Sequence, residues 1–285
     1  MKYILAVLSG ILLSGLCSGQ DKGGSITAGE VVERIKQNVT CPWSDETVDT
    51  FKAGGPESEV TGIACTFMAT VDVLQRVAKL GCNMVITHEP TYYNHLDNKD
   101  LLEGDPVYAA KQAIIEENNM SIFRFHDHWH RTTPDGIYTG MIDKLQWKTY
   151  LVEGETNIFK FPGYSLRDIT EHLKQVFPDA NIRVIGNARL PVNYAAFSAG
   201  APGSESHIRL LQRDEINLIV IGEAPEWESI SYVRDASQAG LKKAMIILGH
   251  TVSEEAGMEY CAKWVQSFIN EVPVFFVESH DPFYQ

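Results

Sequence analysis

Met84-Val-Ile-Thr-His-Glu-Pro90 decides how this chain is read. Its first four residues form a short buried-strand pattern that runs straight into a histidine and a glutamate. Before it, Val71, Leu74, Val77 and Leu80 fall on one helical face, and Gly81 supplies a helix stop. Before that, Val60 to Phe67 reads as a strand. A strand, a helix and an apolar strand indicate a parallel sheet covered on both faces. The plan recurs. Residues 194–225 run strand, helix, strand and finish Leu218-Ile-Val-Ile-Gly-Glu-Ala-Pro225, so Glu89 falls on Glu223 at an offset of 134. The next unit repeats as well: Tyr108…Ile122-Phe-Arg-Phe-His126 matches Tyr232…Ile246-Ile-Leu-Gly-His250 at an offset of 124. The expected fold class is α/β, with two similar lobes from a duplicated strand-helix-strand plan. Lobe one covers about 27–150 and lobe two about 151–285, joined by a short linker at 150–163.

Other elements follow from local signals. Thr27-Ala-Gly-Glu30 is a capping box that opens a helix over 28–39. Residues 41–58 read as loop. Pro106 to Glu117 reads as a helix, Ser121 to Phe125 as a strand, and 131–150 as mixed. Ser165-Leu-Arg-Asp168 opens another helix, followed by strands at 182–185 and 193–199. Helices are expected from about Glu205, over 229–239 and over about 252–270. The strands Asn217–Ile221, Ala244–Leu248 and Val274–Val277 complete the plan.

The chain has 285 residues, enough for one or two domains. It carries 24 basic and 37 acidic residues, a formal charge of −13. That balance opposes nucleic-acid binding, which runs on phosphate neutralisation, and docking on anionic lipid. Met1-Lys2, the mostly apolar run Tyr3 to Leu16 and the small residues Cys17-Ser18-Gly19 read as a signal peptide over 1–19. The run is short for a membrane span. The mature protein is therefore expected to be exported, periplasmic or secreted, with a lipoprotein anchor on Cys17 as the alternative. Cys41, Cys65, Cys82 and Cys261 survive cleavage, lack a CxxC pattern and read as free thiols. Asn38-Val-Thr40 and Asn119-Met-Ser121 match the glycosylation pattern, which matters only in a eukaryotic secretory route.

Nine histidines are present, and the chemistry concentrates where they cluster. His88 and Glu89, then His126, His128 and His130, then His250 and Glu254, each follow an apolar strand at its carboxyl end. That edge is where ligand sites form in open α/β sheets. His250 and Glu254 share a face if a helix begins there. In His126-Asp-His-Trp-His130, alternate residues share a face if the segment is extended; His126 and His130 share one if it is helical. Imidazole with carboxylate and no thiolate suits Zn, Mn or Fe(II). His95 and Asp97 read as loop polar groups, with a supporting role at the cluster as the alternative. His172, His207 and His280 read as structural or surface residues, and Trp129 as packing or a pocket wall.

At these residues the sequence resembles the Nif-three-like family of dinuclear metal-centre proteins, also called GTP cyclohydrolase type-two homologs. Asp45-Glu-Thr-Val-Asp-Thr-Phe-Lys-Ala-Gly54 is similar to the family's early Asp-containing segment, and Met84-Val-Ile-Thr-His-Glu-Pro-Thr-Tyr92 to its His-His-Pro segment. Phe125-His-Asp-His-Trp-His130 lies where the family has His-Thr-Asn-Leu-Asp, and Gly249-His-Thr-Val-Ser-Glu254 is similar to its Gly-His-x-x-Ser-Glu close. Glu89 replaces the family's second histidine and His130 its aspartate, a compensated swap. The resemblance implies a metal site between the two lobes, with a ligand set of His88, Glu89, His126, His130, His250 and Glu254 around two divalent metal ions. It also implies a homo-oligomer, typically a hexamer. The chain lacks a P-loop pattern, so GTP itself has little support as substrate.

Two ions would carry more charge than Glu89 and Glu254 offset, and the excess would acidify a bound water. The reading is therefore a metal-dependent hydrolase, of cyclohydrolase or phosphoesterase type, acting on an unknown small molecule. Glu223, at the strand end equivalent to Glu89, is the candidate general base, with Asp127 or His128 behind it. The alternatives are a non-enzymatic metal-binding or delivery protein and an oligomeric scaffold.

Overall fold

The computed structural model describes residues 24–283. The expected signal peptide, Cys17 included, lies outside the described residues. Two five-stranded sheets form the frame. In the first, Ile63–Thr66, Met84–Thr87 and Ser121–Arg124 are parallel neighbours, and Phe51–Ala53 pairs antiparallel with the last of them. In the second, Pro191–Ser198, Leu218–Ile221 and Ala244–Ile247 repeat the arrangement, with Arg183–Ile185 antiparallel at the same edge. The opposite edges differ. The second sheet is closed by the antiparallel strand Ile158–Ser165, the first by the parallel strand Val274–Phe276. The chain therefore returns to its first sheet at the end, and the expected boundary at about 150 does not divide it into two contiguous sheets. The physical reason is that Ile63–Thr66 has an open parallel edge beside the Gln266 end of the last helix, and only a chain segment arriving there can pair with it.

Alternation sorts the strand residues between layers. Ile63, Cys65, Met84, Ile86, Leu218, Val220, Ala244 and Ile246 face a central core. Ala64, Val85 and Ile122 face the outer helices Val71–Lys79 and Pro106–Glu117. Ile219, Ile221 and Met245 do the same on the far side of the second sheet. Both sheets are thus buried on both faces, as the apolar strand runs require. Between the sheets lie the helices Gly136–Leu145 and His250–Gln266. They cross closely because their contact is glycine: a Cβ on Gly140 would collide with the Ala256 carbonyl and sit 2.7 Å from Gly257 Cα.

Local signals and structure agree where caps are strong. Thr27 and Ser165 each head a helix, Ala28–Asn38 and Leu166–Val176, through complete capping boxes. Three segments depart from expectation. The "linker" at 150–163 contains most of an edge strand, the "mixed" stretch 131–150 contains a helix, and the "loop" 41–58 contains Phe51–Ala53. Cys65, Cys82 and Cys261 are buried free thiols and Cys41 is a half-buried one. No described helix is long and apolar enough to cross a membrane.

Candidate metal centre

The six residues implied as ligands come together at the carboxyl ends of the strands of both sheets. His88 and Glu89 follow Met84–Thr87, where the backbone leaves the strand. Their amides still donate to Thr66 and Phe67 carbonyls at 3.1 and 2.9 Å, so the backbone that carries both side chains is fixed. His126 precedes the short helix Asp127–Arg131, and His130 lies one turn on. The helical alternative for this segment is therefore the one realised. His250 is the first residue of its helix, with Glu254 on the same face, their side chains 3.2 Å apart.

All four histidines are oriented alike. Each has Nδ1 on an oxygen: His88 on the Phe125 carbonyl at 3.2 Å, His126 on Asp127 at 3.0 Å, His130 on Asp135 at 3.0 Å, and His250 on Glu223 at 3.1 Å. Each turns Nε2 toward the carboxylates of Glu89 and Glu254. His88 Nε2 is 3.5 Å and His130 Nε2 3.9 Å from Glu254; His126 Nε2 is 3.7 Å and His250 Nε2 3.5 Å from Glu89. His88, His126 and His130 offer donor atoms within 4.8 Å of one another, and so do His88, Glu89 and Glu254. His88 Nε2 is wholly buried and has no hydrogen-bond partner. An orphaned imidazole nitrogen facing carboxylates is costly unless something else occupies the space between. Four imidazoles and two carboxylates fit a divalent transition metal there.

The charges are tuned by burial and by the carboxylates. Burial, reinforced by the neighbouring imidazoles, pushes His88 well below the usual histidine range, and His126 moves the same way. Burial also opposes charge on His250, but Glu223, Glu254 and Glu89 outweigh it and carry its pKa up to about 12. His130 is raised because Asp135 prevails over burial.

The remaining polar residues have other work. His128 points away: its Nδ1 donates to Asp49 at 2.7 Å, its Nε2 accepts from the Ser44 amide at 2.9 Å, and its ring stacks on Trp43. Both nitrogens are occupied, so it has no lone pair to offer as a base. Asp127 is turned to His126, Thr47 and the Val48 amide. Asp49 was not singled out, yet its carboxylate accepts from the His126, Asp127 and His128 amides and so fixes the whole segment. The only sequence signal for it was its place in the Asp-containing segment. Trp129 packs on Trp264 and Tyr260. Asp97 organises its loop, accepting from the Tyr92 amide at 2.7 Å and pairing with Lys52. Buried Arg124 donates to the His88 carbonyl and lies 3.6 Å from Glu89. A cleft of about 570 Å³ opens onto Glu89, Glu223 and His250.

Comparison with known proteins gives the family and the fold. A GTP cyclohydrolase 1 type 2 homolog of Clostridium acetobutylicum is 20% identical over 232 residues, covering 78% of this chain and 82% of its own. The crystal structure of a Staphylococcus aureus hypothetical protein superposes with a TM-score of 0.71 at 14% identity, over 92% of this chain and all of that one. The structure of a Bacillus cereus protein related to NIF3 gives 0.71 at 13% identity, over 91% and 99% of the two chains. The description of the Duf34/NIF3 (NGG1p interacting factor 3) family matches residues 29–282. With its α/β fold and its His/Glu cluster, the chain belongs to the DUF34/NIF3 family.

Proposed function

We propose that this protein binds two divalent metal ions in the His/Glu cluster and is a metal-dependent hydrolase of cyclohydrolase or phosphoesterase type. The observation that carries the reading is the common orientation of four histidines, each with Nδ1 anchored and Nε2 turned to the same pair of carboxylates. Anchoring of one ring nitrogen so that the other is free for metal is the usual arrangement around metal-ligating histidine. His88, Glu89, His126, His130, His250 and Glu254 would hold the ions. Divalent ions held there would supply Lewis-acid polarisation and the means to ionise a water near neutral pH.

The chain's own residues prepare the site. Without metal, the proton on His250 takes the place of a cation among Glu89, Glu223 and Glu254, and ion uptake must release it. Asp127 and Asp135 hold the protons of His126 and His130 on Nδ1, leaving Nε2 as a donor. Glu223 does the same for His250. We therefore read Glu223 as a positioning carboxylate in place of the general base expected from its strand-end position. The cleft beside Glu89 and His250 favours a hydrolase over a metal-delivery protein, because it gives a substrate access to the cluster. Export of the mature chain and assembly into a homo-oligomer belong to the same proposal.

The test is turnover. The protein reconstituted with Mn, Zn or Fe(II) is assayed against phosphoesters and cyclic amidines, then stripped with chelator. Hydrolysis that disappears with chelator and in Glu89→Gln supports the hydrolase. Two firmly bound ions with no turnover of any of these supports the delivery reading instead.

A further inference from the structure

Lys111 is a buried cation with little to balance it. It lies on the helix Pro106–Glu117 and is only 4% exposed. Its Nζ donates to the Thr91 carbonyl at 2.7 Å and stands 4.5 Å from the centre of the Tyr93 ring. An ammonium has three donors, and no other hydrogen bond or ion pair engages it among the described residues. The nearby buried cations differ: Lys52 is 3.4 Å from Asp97, and Arg124 is shared between Glu89 and Asp97. Burial, only partly offset by Asp97, brings the Lys111 pKa down to about 8, as expected of a charge short of partners.

Its surroundings indicate what the missing partner is. Lys111 lines the same cleft as Glu89 and His250. Arg183 lines it too, exposed, with Glu226 no nearer than 3.9 Å. Phe67, Tyr93 and Phe283 supply apolar and aromatic wall. Tyr93 is held out, 57% exposed, by a backbone in the left-handed region at φ 59°. In a chain with a net charge of −13, two cations, one of them buried and short of partners, face one cleft whose carboxylates are Glu89, Glu223 and Asp281.

We propose that this cleft is an anion-binding subsite of the candidate metal centre. Its ligand is a small molecule with an anionic group, phosphate or carboxylate, received by Lys111 with Arg183 at the mouth, and with a flat apolar body laid on Phe67 and Tyr93. The inference rests on the reading of the His/Glu cluster as a hydrolytic metal centre and gives that centre a substrate class.

Calorimetry on the full chain tests it, Mn(II)-loaded and chelator-treated, with phenyl phosphate, phenylacetate and neutral benzyl alcohol as probes. At least one anion should bind the wild type. Lys111→Met should weaken it at least about tenfold and Arg183→Ala about threefold, as for loss of one charge-assisted contact each. Lys111→Arg should restore most of the affinity, and benzyl alcohol should be indifferent to all three changes. The anion that binds more tightly distinguishes phosphate from carboxylate. Protection of Lys111 from acetic anhydride by that anion, read by mass spectrometry, reports on the wild type and needs no folded variant. Unchanged affinity in Lys111→Met, or no binding of either anion at about 10 mM, overturns the subsite. The two readings fail separately. Lys111-dependent anion binding by a protein that takes up no Mn, Zn or Fe(II) leaves the subsite and removes the hydrolase. Two bound ions with no Lys111 effect leaves the centre and removes the subsite.

Discussion

The carboxyl edges of the two sheets follow one plan and carry different chemistry. After the third parallel strand the halves match. At an offset of 124, His126 falls on His250 and His130 on Glu254, so each half contributes a pair one helical turn apart. After the second strand they diverge. His88 and Glu89 face the cluster, whereas the equivalent positions are Gly222 and Glu223. The backbone hydrogen bonds are conserved through this change: His88 donates to the Thr66 carbonyl and Gly222 to that of Ser198, both at 3.1 Å. Arg124, buried behind Glu89, has Leu248 as its counterpart. After the second strand, one half supplies two further donors and the charge that steadies them, and the other makes room. Gly200 shows the second role, since a Cβ there would run into Glu254 Oε1 and lie 3.1 Å from His250 Nε2.

Giving one half the residue of the other tests how far the two strand ends differ. Arg124→Leu, which installs the second half's residue, should have the largest effect. It strips a buried cation from Glu89 and Asp97, at a cost of about 3–5 kcal/mol. Urea unfolding of the chelator-treated protein measures this, and a change below about 1 kcal/mol would mean that the two strand ends are interchangeable.

Gly200→Ala comes next. It combines a left-handed φ of 62° with displacement of Glu254, so metal affinity should fall about 100-fold. Competition with a chelating dye reads the loss. Met68→Ala, at the corresponding position of the first half, should stay within about threefold.

Glu223→Gln sharpens the contrast between Glu89 and Glu223. A positioning carboxylate predicts a loss of about 10-fold in metal affinity. Unchanged affinity with abolished turnover would return Glu223 to the role of base.

The smallest effects are expected at features the halves share. Thr27→Ala and Ser165→Ala each remove a capping box, and each should cost about 1 kcal/mol in thermal or urea unfolding. A large inequality between them would show that the halves do not carry their first helices alike.

What the sequence showed, and what it hid, follows the same physics. The strand-helix-strand units were legible because their strands are apolar on both faces and their helices have caps or stops. The strand Ile158–Ser165 was hidden by Pro162-Gly163, which reads as a turn; it sits at a sheet edge, where the register shifts between Lys160 and Tyr164 and the irregularity is tolerated. The helix Gly136–Leu145 was hidden by Gly136 and Gly140, poor helix formers whose lack of a side chain is what allows Trp129 and the last helix to pack so closely. The return of Val274–Phe276 to the first sheet is a choice of partner that a three-residue strand does not encode. At the site, the clustered histidines were legible by their strand-end positions. Their anchors were not, because Asp135 on the His130 Nδ1 and Asp49 on the His126 amide gain meaning only once the chain has folded around them.

One cluster, built from both sheet edges, is proposed to hold two ions. Elemental analysis of the purified protein, with His88→Ala and Glu254→Ala alongside, tests this most directly. About two transition-metal equivalents per chain, lost from both variants, is the predicted result. A wild-type protein that carries no metal and takes up none from added Mn, Zn or Fe(II) would contradict it.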